Sequence, residues 1–386
     1  MNLLKANGRL KWSMAFMLIF IIVYLFVICL SKASLYGVLN VFTVDFNDIP
    51  TENILEDSPD HLFLQNFSQK HSELTSKALK IFFVQTSENV DILSRHACSI
   101  ESAARLHPDG FIFVLMRSQY VLVKSSAYIH LHSYSNIHIV HFTEEDVYSD
   151  TALTRLNQTK RKQYIRYFSI SHMSDFIRTA LLYKYGGIYF DLDVIPIKKF
   201  HHFRNTVALE TTDGVNVAVL AFEKHHLALN LQMNIQLQTI SKQFHALCWN
   251  CLGPKALTDA LKNVCDQQRL IVHQQDKCHQ IDIQPSYVFY PIAYQNIPQF
   301  FWRSSDSIDF LMKNSSIYSI HYFHHMTMNI PIEHQSPFAQ IAEFFCPNVY
   351  QQLMNENQPT QSANYFFTDI QFLRHIDRES KYSCSF

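Results

Sequence analysis

The stretch that most restricts how this chain folds runs from Ser174 to Pro196, SDFIRTALLYKYGGIYFDLDVIP. Ser174 is a suitable helix cap, and Phe176, Ile177, Ala180, Leu181 and Leu182 recur at the spacing of one buried helix face. Asp175 and Arg178 lie three residues apart, which puts them on a common face near the positive end of that helix. The chain has only 7 glycines, so the adjacent Gly186 and Gly187 mark backbone positions that need glycine and end the helix. Ile188-Tyr189-Phe190 then starts a strand. With a side-chain period of two, Asp191 and Asp193 point to one side, and Phe190, Leu192 and Val194 to the other.

Two neighbouring carboxylates at a strand's carboxyl end repel each other, and a bound divalent cation removes that penalty. Oxygen ligands favour Mg²⁺ or Mn²⁺ over softer metals, and such an ion can assist a departing diphosphate. Taken alone, Asp-x-Asp is a short motif that also reads as a solvated strand end. Asp175 with Arg178 also reads as a cap plus a surface ion pair worth less than about 1 kcal/mol.

The surrounding pattern is that of an α/β domain. KIFFVQTSE from Lys80 reads as a buried strand, CSIESAARLHP at 98–108 as an amphipathic helix stopped by Pro108, FIFVLM at 111–116 as a second strand and NIHIVHF at 136–142 as a third. This β-α-β order predicts a mainly parallel sheet that binds its ligand beyond the carboxyl ends of the strands. No GxGxxG or P-loop motif occurs, so dinucleotide and ATP chemistry have no support. The net charge of -1 excludes nucleic acid as the expected partner.

The N-terminus adds a topology. Residues 12–30, WSMAFMLIFIIVYLFVICL, are uncharged and match the roughly 20 residues a helix needs to cross a bilayer. Lys5, Arg9 and Lys11 precede the span and only Lys32 follows it closely, which predicts a cytoplasmic tail at 1–11 and a lumenal remainder. A cleavable signal peptide is the competing reading, but the apolar run exceeds the about 7 to 15 residues of such a segment and no clear small-x-small cleavage site follows. The expected divisions are a signal anchor at 12–30, a polar stem at 31–77, a catalytic domain at 78–355 and a polar tail at 356–386. Sequons at Asn66, Asn157 and Asn314 fit a lumenal placement.

Of the 8 cysteines, Cys29 falls in the anchor. The other seven face an oxidising compartment, and their odd number leaves at least one unpaired or paired between chains. Cys248-Trp-Asn-Cys251 also has redox and zinc spacing, and Cys248, Cys251, Cys265 and Cys278 could together hold zinc. Disulfides are the preferred reading, with Cys265–Cys278 the favoured pair.

The segment at 174–198 resembles the donor-site signature of the α-1,4-glycosyltransferase family of lactosylceramide 4-α-galactosyltransferase and α-1,4-N-acetylglucosaminyltransferase. The resemblance continues, in order, through CSIESAARLHP, VNVAVLAFE at 215–223, GPKALT at 253–258, FYPI at 289–292 and IHYFHH at 320–325. It implies a GT-A-like nucleotide-sugar-binding domain that takes a hexosyl unit from a UDP-sugar, with retention, into an α-1,4 linkage on a glycolipid or glycoprotein glycan. It also implies Mn²⁺ or Mg²⁺ as cofactor and a single-pass type II position in the Golgi membrane. Asp191 and Asp193 would be the metal and nucleotide motif, with Asp193 the direct ligand and His321 closing the metal and diphosphate site. Asp175 would bind donor-sugar hydroxyls, Arg178 would reach the sugar or diphosphate, and Asn216 would lie on the acceptor side.

The chain departs from the family pattern at three places. Asp191-Leu192-Asp193 stands where relatives have Asp-Thr-Asp, and Leu252 replaces the polar glutamine before Gly-Pro. The Trp-Asn after the carboxyl-terminal histidine is replaced by aromatic and histidine residues. The competing readings are a two-carboxylate glycoside hydrolase and an inactive membrane-anchored relative that binds glycan or nucleotide sugar without turnover. A zinc site at His321, His324 and His325 lacks a further ligand in the sequence.

Overall fold

The computed structural model describes residues 60–74, 78–159, 170–243, 248–273, 278–303 and 308–356. The expected anchor at 12–30 and the tail beyond 356 lie outside these residues. Among the described residues no helix is long and apolar enough to cross a membrane.

The chain begins with β1 (His61–Phe63), α1 (Phe67–Glu73), β2 (Lys80–Gln85), α2 (Ser94–Leu106), β3 (Phe111–Met116) and β4 (Tyr120–Leu122). It continues with α3 (Ser126–His132), β5 (Ile137–His141), α4 (Glu144–Tyr148), α5 (Thr154–Thr159), α6 (Ile170–Tyr185), β6 (Gly187–Phe190) and β7 (Val194–Pro196). Next come β8 (Thr206–Thr211), β9 (Gly214–Phe222), α7 (Leu227–Gln243), α8 (Pro254–Val264) and β10 (Asp282–Gln284). The described part closes with α9 (Asp309–Lys313), β11 (Ser319–His321), α10 (His324–Thr327), α11 (Pro337–Phe345) and α12 (Pro347–Glu356).

Seven strands form the main sheet in the order β10-β8-β9-β6-β2-β3-β5. β5, β3, β2 and β6 run parallel, β9 is antiparallel to both β6 and β8, and β10 is parallel to β8. Six strands therefore share one direction and only β9 opposes them. This is the mainly parallel mixed α/β sheet expected from the sequence.

Alternation along β2 and β3 divides the core between the two faces of the sheet. Ile81, Phe83, Ile112 and Val114 pack towards α2, α11 and α12, whereas Phe82, Val84, Phe113 and Leu115 pack towards α6, α7 and α8. Continuous burial on both faces explains why these strands read as unbroken apolar runs.

The glycine pair does what its rarity implied. Gly186 and Gly187 have φ of 62° and 120°, and a Cβ on Gly187 would stand 2.5 Å from the Lys80 carbonyl oxygen. The turn from α6 into β6 can therefore lie against β2 only without side chains.

Residues 60–74, inside the expected stem at 31–77, are packed on the domain. β1 pairs antiparallel with β4, Asn66 caps α1, and Phe67 is fully buried with edge contacts to Phe82, Phe113 and Tyr185. The sequence gives little sign of this, because one aromatic anchor in a polar run carries no periodicity.

Disulfides join Cys98 to Cys346, Cys248 to Cys251 and Cys265 to Cys278. The favoured Cys265–Cys278 pair is present, and the four-cysteine zinc reading is overturned because all four sulfurs are paired. Cys98–Cys346 ties α2 to the end of α11. Beside it the fully buried Glu101 accepts the backbone N–H of Asn348 at 3.1 Å and of Val349 at 2.9 Å, together with the Tyr134 hydroxyl at 2.7 Å. Glu101 thus supplies to α12, from a distant helix, the carboxylate that a helix amino terminus favours. Glu101→Ala leaves those N–H groups without an acceptor and should lower unfolding free energy by about 3 kcal/mol. Urea denaturation of the mutant against wild type checks this.

Candidate active site

The end of β6 and the turn after it carry the carboxylates. β6 stops at Phe190, and Asp191, Leu192 and Asp193 form a turn before β7, rather than continuing the strand as the sequence pattern predicted. The turn is fixed at both ends: the Asp191 N–H donates to the Ala218 carbonyl of β9 at 2.8 Å, and the Val194 N–H donates back to the Asp191 carbonyl at 3.0 Å. The acidic side chains therefore lie beyond the carboxyl end of a parallel strand, where open α/β sheets bind ligands.

Helix α6 brings the second element. It starts at Ile170, so Ser174 sits inside it and is not its cap, correcting the sequence expectation. The Ser174 hydroxyl is instead 3.0 Å from the Tyr189 hydroxyl and accepts from Arg178 Nη2 at 2.9 Å. Phe176, Ile177, Ala180, Leu181 and Leu182 are all buried, as the helical spacing required.

Arg178 is 4 % exposed and fully engaged. Its Nε donates to the Ser174 carbonyl at 3.2 Å, and its Nη1 lies 2.9 Å from Asp191 Oδ1 and 2.9 Å from the Val217 carbonyl oxygen. Its Nη2 stands 3.5 Å from Asp175 Oδ1, and the guanidinium packs 4.8 Å from the centre of the Tyr189 ring. The surface ion-pair reading is thereby excluded. The donors of the fork are directed at protein acceptors. Burial opposes its charge, but Asp191, Tyr189 and Asp175 together hold it above the ordinary arginine range.

Asp175 lies under the amino end of α8. A Cβ on Gly253 would fall 2.3 Å from Asp175 Oδ1, so glycine at 253 is what allows the helix to sit there. Asp175 itself is 4 % exposed. Burial pushes its carboxyl up to about 7, against the pull of Arg178 and with the help of Asp191.

Asp193 meets His321 through strand register. β11 pairs antiparallel with β7, setting His321 opposite Val194 and its Nε2 3.2 Å from Asp193 Oδ1. Asp193 Oδ2 accepts the His324 backbone N–H at 2.7 Å. Burial would raise the Asp193 carboxyl, but His321 and the His324 N–H hold it well below the usual carboxylate range. His321 moves the opposite way: burial lowers it, and Asp193 outweighs burial and raises it. Phe323, with a left-handed φ of 48°, stacks on the His321 ring at 3.9 Å.

Ligand atoms of Asp191, Asp193 and His321 all lie within 4.8 Å of one another. Two carboxylates and one imidazole form a donor set that suits a hard or borderline divalent cation. The sequence reading reached all three residues. Within the histidine group it weighed for zinc, His324 turns its backbone, not its ring, to Asp193.

Asn216 lies on β9 opposite Ala208, and its Oδ1 accepts the Ala218 N–H at 2.7 Å. Since the Ala218 and Val217 carbonyls hold Asp191 and Arg178, Asn216 stiffens the strand that positions them. Residues missed by sequence reasoning include Tyr189, which donates to Asp191 Oδ1 at 2.7 Å, and Gln236, which donates to the Leu252 carbonyl at 2.7 Å above Asp175. Tyr189 was readable as the strand neighbour on the Asp191 side. Gln236, on α7, gives no sequence signal, because its partners Asp175 and Leu252 are distant in the chain.

Residues 94–212 match the glycosyltransferase sugar-binding region containing the DXD motif, and residues 221–353 match the alpha 1,4-glycosyltransferase conserved region. Both stretches are regions of glycosyltransferases, and along them the chain is similar to the α-1,4-glycosyltransferase family. It is similar to lactosylceramide 4-alpha-galactosyltransferase of Mus musculus, with 29% identity over 276 residues covering 70% of this chain and 75% of that protein. It is also similar to alpha-1,4-N-acetylglucosaminyltransferase of Homo sapiens, with 25% identity over 296 residues covering 73% of this chain and 82% of that one. Among solved structures, the galactosyltransferase LgtC with donor and acceptor sugar analogues is 14% identical, covers 68% of this chain and 95% of its own, and has a TM-score of 0.31. The family match spans both halves of the site, from the α6–β6 segment to β11.

The raised carboxyl of Asp175 has a consequence for stability. Its folded value of about 7 lies above the ordinary 3.8, so the native state holds a proton that the unfolded chain has released between those values. Its contribution is therefore complete below the ordinary value and is lost as pH rises towards 7, with a slope of up to about 1.4 kcal/mol per pH unit. Asp175→Asn should flatten that decline, measured by urea denaturation between pH 4.5 and 7.5.

Proposed function

We propose that this glycosyltransferase-family chain transfers a hexosyl unit of galactose, N-acetylgalactosamine or N-acetylglucosamine from a UDP-sugar to a glycan on a lipid or protein. The linkage formed is α-1,4 and the anomeric configuration is retained. The observation that carries the reading is the convergence of Asp191, Asp193 and His321 at the end of β6, backed by Arg178.

In this reading Asp191, Asp193 and His321 hold Mn²⁺ or Mg²⁺. That ion supplies charge neutralisation for the departing diphosphate. Arg178 is a positioning residue: it fixes Asp191 from behind, and Asp175 belongs to the same buried support. Tyr189 adds a hydroxyl donor to the Asp191 carboxylate. Asp193 is oriented by His321 and by the His324 N–H, so both carboxylates face the donor site with little freedom to reorganise. Asn216 keeps β9 in place at the acceptor side.

The reaction needs no protein nucleophile. The bond from the sugar anomeric carbon to the phosphate oxygen breaks and the acceptor hydroxyl oxygen bonds to that carbon from the same face. Its proton leaves with a phosphate oxygen of UDP. A hydrolase with paired acid and base is disfavoured, because its carboxyls flank a bound sugar, while Asp191 and Asp193 share one short turn and cluster with His321.

The sequence supports a GT-A-like domain held on the lumenal side of the Golgi membrane by residues 12–30. The test is full-length protein in detergent, assayed with three UDP-sugars and lipid or oligosaccharide acceptors with and without Mn²⁺. Product that needs Mn²⁺ and falls at least about 100-fold in Asp193→Ala is the expected result. UDP binding without product from any donor would favour the inactive relative, and equal activity in the mutant would remove Asp193 from the mechanism.

A further inference from the structure

The end of the sheet opposite the carboxylates carries a second concave feature. A groove of about 670 Å³ opens where β8 and β10 begin and β9 ends. Phe203, Tyr318 and Tyr287 contribute aromatic surface to it, Tyr287 being 49% exposed, and Gln280 and Asp282 contribute polar groups. Phe203 and Tyr318 meet edge to face at 4.8 Å, which makes a rigid wall. Asn205, His273 and Gln280, all in the lining, hold φ of 46°, 56° and 65°, a left-handed conformation costly for residues with side chains. Aromatic faces beside amide and carboxylate groups are the chemistry that receives a neutral sugar.

Ser315 and Ser316 form part of the same rim, and they complete the sequon that begins at Asn314. Asn314 follows α9 at a turn whose neighbours Lys313, Ser315 and Ser316 are exposed. Its backbone is held by Lys198, which donates to the Asn314 carbonyl and, at 2.7 Å, to that of Ile317. Its side-chain Oδ1 accepts the Ser316 N–H at 2.9 Å, and its Nδ2 has no hydrogen-bond partner among the described residues.

The sequon at Asn66 is built differently. Asn66 Oδ1 accepts the N–H groups of Ser68 and Gln69 as the cap of α1, and its Nδ2 donates to Asp146 Oδ2 at 2.8 Å. Asp146 is also the carboxylate of the capping box that starts α4. The Asn66 amide thus joins two helix starts, and a sugar on its nitrogen would have to fit within that junction.

We propose that Asn314 carries an N-linked glycan whose first sugars lie in the groove formed by Phe203, Tyr287 and Tyr318, and that Asn66 remains unmodified. The proposal rests on the lumenal placement given under the proposed function. The modification joins Nδ2 to the anomeric carbon of a lipid-diphosphate-linked oligosaccharide. The carbon–oxygen bond to the diphosphate breaks, and the Nδ2 proton leaves as the lipid diphosphate is released. The attached glycan then covers aromatic surface on the face remote from the carboxylates.

Full-length protein from a secretory-competent cell would be digested with peptide:N-glycosidase F in heavy-oxygen water and its peptides mapped. Conversion of Asn314 to labelled Asp, with Asn66 unlabelled, is the expected result; an unlabelled Asn314 or a labelled Asn66 overturns the proposal. Native release of the Asn314 glycan should be at least about tenfold slower than release after denaturation, equivalent to about 1.4 kcal/mol of closure. Tyr287→Ser should remove most of that protection, whereas equal release from native and denatured protein overturns the seat in the groove. Protease protection in sealed microsomes separates the two readings. A protected domain with bare Asn314 overturns this proposal alone, and a digested domain overturns the lumenal placement together with it.

Discussion

The site depends on one buried cation. Arg178 joins α6, the β9 backbone and the Asp191 turn through a single side chain. Removing a guanidinium from water is expensive, and the cost is offset only when carboxylates and carbonyls satisfy it in good geometry. Asp191, Asp175, Ser174 and Val217 do so. Breaking such a pair by removing one partner costs about 3 to 5 kcal/mol, so the position of Asp191 is tied to the stability of the domain.

A second constraint brings His321 to the same place. The two-stranded pairing of β7 with β11 fixes His321 opposite Val194, one residue from Asp193. The Cys98–Cys346 disulfide and Glu101 then clamp α11 and α12, which follow β11, onto α2. The carboxyl-terminal part of the chain is thereby fastened against the amino-terminal part of the sheet, and the metal-ligand set is assembled from both. This division explains why the two family regions together are needed to contain the site.

Much of this was legible in the sequence because the chemistry is locally concentrated. Asp175, Arg178, Asp191 and Asp193 lie on one helix–turn–strand segment, and the glycine pair between them announces the tight turn. Strands β2 and β3 were readable from unbroken apolar runs. His321 was reachable only through resemblance, since strand pairing across the chain leaves no periodic trace. The burial of Arg178 and Asp175 was hidden for a related reason. Sequence places both on one helix face, but Gly253 and the β9 carbonyls, which cover that face, come from elsewhere. The same holds for Phe67, whose partners Phe82, Phe113 and Tyr185 lie on three different elements.

The account's central claim is that Asp191, Asp193 and His321 form a divalent-cation site. The direct measurement is a Mn²⁺ titration of the full-length protein in the presence of UDP, followed by electron paramagnetic resonance, for wild type and His321→Ala. The account predicts one bound Mn²⁺ per chain in wild type and affinity weaker by about 10- to 100-fold in the mutant. Unchanged Mn²⁺ affinity in His321→Ala, or no bound Mn²⁺ in wild type, would contradict it.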